Sequence, residues 1–201
     1  MRSFITLTAC LLITNYLAAQ STINYGSLAT FSENGNLQIV VEIPAGTNKK
    51  LEYNYATNTF PVDIKDGKER IINFLPYPGN YGFIPSTMMD RVRGGDGDAL
   101  DVLVLSQHSA TQTILEVIPI ALLNLIDNGE IDSKIIAVPI NPNHRVISAA
   151  SYSQLHSEYP NVQRLIELWF TSYKGSGIVE FNGWGNELSA KAEIEKWLVP
   201  N

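Results

Sequence analysis

Short apolar stretches dominate the first two thirds of the chain, where their length and spacing are typical of β-strands. The stretches "LQIVVEIP" (37–44), "DVLVLS", "ILEVIPIALLNLI" and "SKIIAVPI" are each bounded by polar turn residues, which predicts a strand in each. The segment "KKLEYNYATNTF" predicts a further strand that enters a turn at residues 56–59. The segment "KERIINFLPYPGNYGFIPST" contains Pro76, Pro78 and Gly79, so we expect its strand material to bend.

Helical spacing appears only near the C-terminus. Apolar residues recur about every 3.6 positions from Asn161 to Tyr173 and again in "NELSAKAEIEKWL", which ends before Pro200. Because strands come first and helices last, the order predicts an α+β fold with a mostly antiparallel, closed sheet. The chain has 201 residues, 45% of them hydrophobic, which is enough for a single domain with a substantial core.

The first twenty residues, "MRSFITLTACLLITNYLAAQ", are typical of a secretory signal peptide. An arginine precedes an apolar run from Phe4 to Ala19, which predicts cleavage after Ala19 and one mature domain over residues 20–201. A membrane anchor is the alternative, although the run is short and contains Thr and Asn. Lipid attachment at Cys10, the only cysteine, is a third interpretation. We therefore expect an exported, periplasmic or secreted protein that does not stay inserted in a membrane once the leader is removed.

The net charge and the spacing of the histidines argue against a nucleic-acid partner and against a histidine metal site. The formal net charge is −6 and no run of Lys or Arg occurs, so nucleic acid is not an expected partner. The three histidines, His108, His144 and His156, do not have the spacing of metal ligands. A mature chain without cysteine would also lack a thiolate nucleophile and a Cys metal site.

Three aspartates lie in the stretch "GGDGDALDVLVL", immediately before a predicted strand. The glycines allow a tight turn in which Asp96, Asp98 and Asp101 converge. Oxygen ligands alone favour hard cations such as Mg²⁺, Mn²⁺ or Ca²⁺. A turn held by Asp side-chain hydrogen bonds is the simpler interpretation. An EF-hand loop does not fit, because position twelve counted from Asp96 is Gln107 and not Glu.

A second acidic cluster, "LIDNGEIDSK", lies between two predicted strands. As a hairpin loop it would carry Asp127 and Asp132 at neighbouring strand ends, although Asp127-Asn128-Gly129 is also ordinary turn chemistry. The two clusters would suit one site for several cations if the fold brings them together. Basic and phenolic side chains that would suit an anion are scattered along the chain: Lys50, Arg70, Tyr77, Tyr81, Tyr173 and Lys174.

These segments, in this order, resemble the soluble family I inorganic pyrophosphatases over roughly residues 37–184. The stretch "DGDALDVLV" is similar to the family signature D-G-D-P-x-D-V-x-V, with Ala99 in place of proline. The segments "EIPAGTNKKLE", "YPGNYGFIPST", "DNGEIDSKIIAVP" and "YKG" resemble four further family motifs. The resemblance implies a small closed antiparallel β-barrel (OB-like) with two C-terminal-half helices packed against it, and a homo-oligomer, either a dimer or a hexamer.

The resemblance also implies a role for each matched residue. It implies Mg²⁺-dependent hydrolysis of pyrophosphate, with two or more cations and Mn²⁺ as a possible substitute. Asp98 would be the general base that accepts a proton from water. The Mg²⁺ ligands would be Asp96, Asp101, Asp127 and Asp132, the substrate-binding groups would be Lys50, Arg70, Tyr81, Tyr173 and Lys174, and the supporting polar groups would be Glu42, Glu52, Tyr77 and Lys134.

Charge explains why such a site needs cations. Six of these carboxylates face four cationic side chains, and unit charges about 4 Å apart interact by about 4 kcal/mol at an effective dielectric of about 20. One departure from the family pattern weakens the phosphate side, because the segment after Lys174 has Gly and Ile where the family has a lysine and an aromatic residue. The remaining alternatives are an exported Ca²⁺-binding or adhesion module and a phosphohydrolase that acts on nucleotides or polyphosphate.

Overall fold

The computed structural model describes residues 23–199, so the predicted leader and its cleavage site lie outside the described residues. Nine strands and three α-helices follow one another in this part of the chain. The strands are β1 (Leu37–Ile43), β2 (Ile64–Lys65), β3 (Lys68–Glu69), β4 (Asn80–Phe83), β5 (Asp101–Val104), β6 (Ile114–Asp127), β7 (Glu130–Ile131), β8 (Lys134–Pro139) and β9 (Val179–Gly185). The helices are α1 (Tyr152–Glu158), α2 (Pro160–Ser172) and α3 (Glu187–Trp197).

Seven strands form one mixed sheet, with the order β1-β4-β5-β8-β6-β7 and with β9 paired to β6. Strand β1 also pairs with β6, so β1, β4, β5, β8 and β6 are connected in a cycle of pairings. Every pair is antiparallel except β5–β8, which is parallel. The predicted α+β class is confirmed, while the closed OB-like barrel stays a prediction with which these pairings agree.

The helix count differs from the prediction, because three α-helices and not two occupy the C-terminal half of the described chain. The additional helix, α1, is mostly polar and buries only Leu155, so its sequence has little amphipathic signal. Ser151 caps its first turn by accepting a hydrogen bond from the Gln154 amide. Pro160 then begins α2, and the proline disfavours helical backbone at Tyr159, which separates the two helices.

One strand prediction was wrong, and one strand was missed. Residues 49–60 form only isolated bridges. The Asn54 side chain caps a turn in which Asn58 has a φ of 53°. Pro61 follows this turn and has no amide hydrogen with which to extend a strand pairing. Strand β9 was not predicted, since its sequence "VEFNGWG" contains two glycines and alternates poorly. The strands expected at β1, β5, β6 and β8 are confirmed.

Apolar side chains pack on both faces of the seven-stranded sheet. One core cluster includes Ile166, Trp169 and Phe170 of α2, and a second includes Ile194 and Trp197 of α3. Between these helices the sheet holds its strand ends in fixed register, with Phe83 opposite Asp101 and Asp101 opposite Lys134. The sheet therefore gives the charged strand ends a rigid base.

Within residues 23–199, no helix is long and apolar enough to cross a lipid bilayer.

Candidate active site

The first residues of the parallel strands β5 and β8 are Asp101 and Lys134, which lie side by side. The Lys134 ammonium group contacts the carboxylates of both Asp101 and Asp132, and only 3% of its side chain is exposed. Burial opposes the charged form of Lys134, but the two carboxylates outweigh that effect and raise its pKa. Lys134 is therefore a fixed positive charge between two acidic groups.

A small pocket opens beside Asp101, and we name it the carboxylate pocket. Its volume is about 70 Å³, and its lining residues are Glu42, Lys50, Glu52, Tyr53, Tyr55, Phe83, Asp98, Ala99 and Asp101. Glu42 on β1 is buried and accepts a hydrogen bond of 2.7 Å from the Tyr53 amide. Burial raises the pKa of Glu42 to about 8, although Lys50 opposes the shift. The pocket thus concentrates acidic groups around one lysine.

The loop before β5 turns tightly because Gly95 has no room for a side chain and Gly97 adopts a left-handed backbone conformation. A Cβ on Gly95 would lie 2.4 Å from the Met89 carbonyl oxygen, and Gly97 has a φ of 90°. The Asp98 amide donates a hydrogen bond of 2.9 Å to Asp96 Oδ1. Burial raises the pKa of both aspartates, and the neighbouring Asp101 carboxylate adds to the shift in each. Both carboxylates would be stabilised by a positive charge.

The donor chemistry of these residues fits a hard divalent cation, since every candidate ligand is a carboxylate oxygen. Within residues 23–199, however, no three acidic, histidine or cysteine side chains lie close enough together to enclose a metal ion. Lys134 lies between Asp101 and Asp132, and Lys174 binds Asp127, so the convergence of the four ligands on a cation stays a prediction. The two ammonium groups offset part of the carboxylate charge in this arrangement.

A larger opening with a volume of about 680 Å³ lies on the side of Lys174, and we name it the basic cleft. Its polar lining consists of Lys65, Arg70, Asn73, Asn128, Tyr173 and Lys174. Arg70 pairs with Asp63 at 3.1 Å, and Lys174 pairs with Asp127. Burial opposes the charge of Lys174, but Tyr173 and Asp127 outweigh it and raise its pKa. A cleft with three cationic side chains and amide donors is suited to a phosphate anion.

Aromatic packing fixes the phenol groups near this cleft. Trp169 of α2 contacts the Tyr77 ring at a centroid distance of 4.5 Å and stacks on Tyr173 at 4.7 Å. Tyr77 and Tyr81 are 5.1 Å apart, and burial raises the pKa of both. These hydroxyl groups therefore stay protonated at neutral pH and can donate hydrogen bonds.

The predicted residues thus lie in two neighbouring regions, since the Lys50 amide of one donates a hydrogen bond of 3.0 Å to the Arg70 carbonyl of the other. Glu42, Lys50, Glu52, Asp98 and Asp101 line the carboxylate pocket, while Arg70, Tyr173 and Lys174 line the basic cleft. Asp96 lines neither opening, and Asp127 lies on the side of the cleft through its pair with Lys174. The three histidines also line neither.

Five polar lining residues were not predicted: Tyr53, Tyr55, Lys65, Asn73 and Asn128. Tyr53 and Tyr55 cover the carboxylate pocket, and their alternation in "EYNY" after Glu52 was the only signal in the sequence. Lys65 lines the basic cleft from the β2–β3 hairpin, and nothing in its local sequence distinguishes it from Lys68.

The amino-acid sequence of this chain is similar to those of known inorganic pyrophosphatases. A profile of the family described as inorganic pyrophosphatase matches residues 39–199. An inorganic pyrophosphatase of Neisseria meningitidis serogroup B is 32% identical over 173 residues, which cover 82% of this chain and 90% of that protein. An inorganic pyrophosphatase of Saccharolobus solfataricus is 34% identical over 167 residues, which cover 80% of this chain and 88% of that protein.

Solved structures show the same similarity. The inorganic pyrophosphatase of Neisseria gonorrhoeae superposes with a TM-score of 0.68 at 34% identity, covering 82% of this chain and 90% of that one. The inorganic pyrophosphatase of Thermus thermophilus superposes with a TM-score of 0.73 at 27% identity, covering 88% of this chain and 97% of that one. The similarity includes both the carboxylate pocket and the basic cleft, since both lie within the matched residues.

Proposed function

Because the chain belongs to the inorganic pyrophosphatase family and is an inorganic diphosphatase, we propose that it hydrolyses pyrophosphate at the two connected openings, with Mg²⁺ as cofactor and Asp98 as general base. The observation that carries this proposal is the adjacency of an acidic pocket and a cationic cleft: the amide of Lys50, which lines the pocket, donates a hydrogen bond of 3.0 Å to the carbonyl of Arg70, which lines the cleft. Such a division suits a reaction that needs a water-activating side and a phosphate-binding side.

The residues that would hold the cations are Asp96, Asp101, Asp127 and Asp132. When bound, divalent cations offset the charge of the carboxylates and the substrate and acidify a water molecule. Asp96 lies in the loop before β5, Asp101 begins β5, Asp127 ends β6 and Asp132 precedes β8. A bound cation would draw these carboxylates together, and Lys134 and Lys174 would then move away from them. Mn²⁺ is a chemically similar substitute.

Asp98 is suited to the role of general base because it lines the carboxylate pocket beside Asp101 while its own backbone is held by Asp96. In the proposed step, the oxygen of a water molecule attacks one phosphorus atom and its proton passes to the Asp98 carboxylate. The bond from that phosphorus to the bridging oxygen breaks, and the electron pair leaves with the second phosphate. A carboxylate within hydrogen-bond reach of the water is sufficient for this transfer.

Cationic and phenolic groups would stabilise the phosphate that leaves. Arg70 and Lys174 are already oriented by Asp63 and Asp127, which limits the entropy lost when they bind an anion. Lys50 approaches from the carboxylate pocket, and Tyr81 and Tyr173 would add hydroxyl groups as hydrogen-bond donors. We assign supporting roles to Glu42, Glu52, Tyr77 and Lys134, which orient these groups.

The first test is phosphate release from pyrophosphate by the chain lacking residues 1–19, in the presence of Mg²⁺, Ca²⁺ or EDTA, with ATP as a second substrate. We expect rapid release with Mg²⁺ only, and a strong preference for pyrophosphate over ATP. Equal activity in EDTA would contradict the role of the cation, and faster release from ATP would indicate a nucleotide phosphohydrolase.

The variant Asp98→Asn tests the general base in the same assay. We expect kcat to fall by about 10²-fold or more, because an amide cannot accept the proton. Glu33→Gln is the matched control, since it also removes one exposed negative charge but lines neither opening. Near-normal turnover in Asp98→Asn, with an unchanged folded structure, would remove Asp98 from this role.

We also propose that the protein forms a homo-oligomer and that the cycle of strand pairings is a closed OB-like barrel. The five pairings among β1, β4, β5, β8 and β6 support the barrel. Sedimentation velocity of the chain without its leader measures the assembly, and a single monomeric species at micromolar concentration would contradict it.

A further inference from the structure

Lys65 lies on a hairpin that has no evident role in the core. Strands β2 and β3 contain two residues each, all four side chains are exposed, and the turn between them is Asp66-Gly67 with φ values of 52° and 73°. The base of the hairpin is fixed by the Lys49–Glu69 ion pair and by the hydrogen bond from the Arg70 amide to the Asp63 carbonyl. The hairpin therefore presents its side chains from an anchored support without burying apolar surface.

The charge pattern of the hairpin is locally unfavourable. Lys65 and Lys68 are direct cross-strand partners, so their side chains lie on the same face. Like charges in such a pair destabilise a hairpin, and within residues 23–199 Lys65 has no acidic partner that would offset the repulsion. An anion beside Lys65 would relieve this cost.

The basic cleft is where such an anion would bind. Lys65 lines it together with Arg70 and Lys174, and the lining contains no carboxylate. Arg70 and Lys174 each form an ion pair with an aspartate, whereas within residues 23–199 Lys65 forms none, so its ammonium group can contact a ligand without breaking an existing pair. With a volume of about 680 Å³, the cleft has room for a phosphate group between the hairpin and Lys174.

We propose that Lys65 is a substrate-binding residue that contacts the phosphate group held by Arg70 and Lys174, and that it sets the affinity for pyrophosphate and for the product phosphate. The proposal rests on the proposed function in that it places the phosphate side of the reaction in the basic cleft. Lys65 contributes to binding and not to the chemical step, because it lies on the cleft side and not in the carboxylate pocket.

The test compares Lys65→Gln with Lys68→Gln. Both variants remove one positive charge from the same exposed hairpin and relieve the same cross-strand repulsion, so their effects on stability should match. Only Lys65 lines the cleft. For Lys65→Gln we expect KM for pyrophosphate and the inhibition constant of phosphate to rise about threefold to tenfold, with kcat within about twofold, as expected for loss of uniform binding.

Lys68→Gln should change both constants by less than about 1.5-fold, and Lys65→Arg should retain most of the affinity because it keeps the charge. Equal effects of the two glutamine variants would overturn the proposal and indicate a general field instead of a contact. The same conclusion would follow if Lys65→Gln changed kcat alone.

Calorimetric binding of inorganic phosphate separates this proposal from the proposed function. Weaker phosphate binding in Lys65→Gln than in Lys68→Gln would support the contact even if the parent chain failed to hydrolyse pyrophosphate. Equal phosphate binding by all three proteins would overturn the contact even if the parent chain were fully active. The difference between the variants should also decrease as salt is raised.

Discussion

Lys134 affects both the charge balance of the site and the stability of the fold. Its ammonium group lies between two carboxylates with almost no solvent contact, and only 23% of the Asp101 side chain and 13% of the Asp132 side chain are exposed. A pair in this environment contributes little net stability when complete, but removing one partner leaves the other charges buried and uncompensated. The charge of Lys134 is thus a structural requirement as well as part of the site.

We therefore predict that Lys134→Met lowers the free energy of unfolding by about 3–5 kcal/mol in EDTA, because Asp101 and Asp132 then repel each other without a counter-charge. Millimolar Mg²⁺ should recover part of this loss, since a cation can take the place of the ammonium group. Urea unfolding with and without Mg²⁺ measures both effects.

The control for this prediction is Lys49→Met, which removes an ion pair whose side chains are more than half exposed. It should change the unfolding free energy by less than about 0.5 kcal/mol in either condition. A loss in Lys134→Met as small as that of the control would contradict the prediction.

At the scale of the element, strand β4 holds the two halves of the acidic pocket in register. Gly82 pairs with Val41 of β1 and with Val102 of β5, so it joins the strand that carries Glu42 to the strand that begins at Asp101. A Cβ at Gly82 would lie 1.9 Å from the Val40 carbonyl oxygen. The close approach of β1 and β4 therefore requires glycine here.

We predict that Gly82→Ala lowers the free energy of unfolding by about 3 kcal/mol, because β1 must move away from β4 to admit the methyl group. Gly129→Ala is the control: no atom lies within 4 Å of its Cβ, but its φ of 87° is left-handed, so it should cost only about 1 kcal/mol. Equal losses in the two variants, measured by denaturant unfolding, would show that the steric contact with Val40 is not important.

At the scale of the whole molecule, the predicted leader concerns where we expect the reaction to take place. The run from Phe4 to Ala19 predicts export and cleavage after Ala19, and a mature domain that begins at Gln20. Cleavage after Ala19 would leave every described element in the mature chain.

We predict that expression of the full chain in a bacterial host yields an exported product whose mass corresponds to residues 20–201. Cys10→Ser should leave both the mass and the export unchanged, because a signal peptide is recognised by its apolar run and cleavage site. Loss of processing in Cys10→Ser would indicate lipid attachment at that cysteine, and an intact exported chain in the membrane fraction would indicate an anchor.

The sequence alone was sufficient where a signal is local and periodic. Strands β1, β5 and β8 bury most of their side chains in the sheet, and every side chain of β6 is buried or half-buried. Helices α2 and α3 bury one apolar face each, so apolar spacing identifies all six elements. The same holds for the acidic loop before β5, whose glycines indicate a tight turn. Helix α1 and strand β9 were missed because both are largely polar and owe their conformation to neighbouring elements.

Only the tertiary structure decided which charged residues meet. Asp101 and Lys134 are 33 residues apart and become neighbours through the parallel register of β5 and β8, which no local pattern contains. Lys65 and Lys174 line one cleft because an exposed hairpin and the end of α2 are brought to the same side of the sheet. Side-chain chemistry is a property of the residue and can be read from the sequence. The distance between two charged groups depends instead on long-range packing. That distance determines whether the two groups bind an anion, a cation or each other.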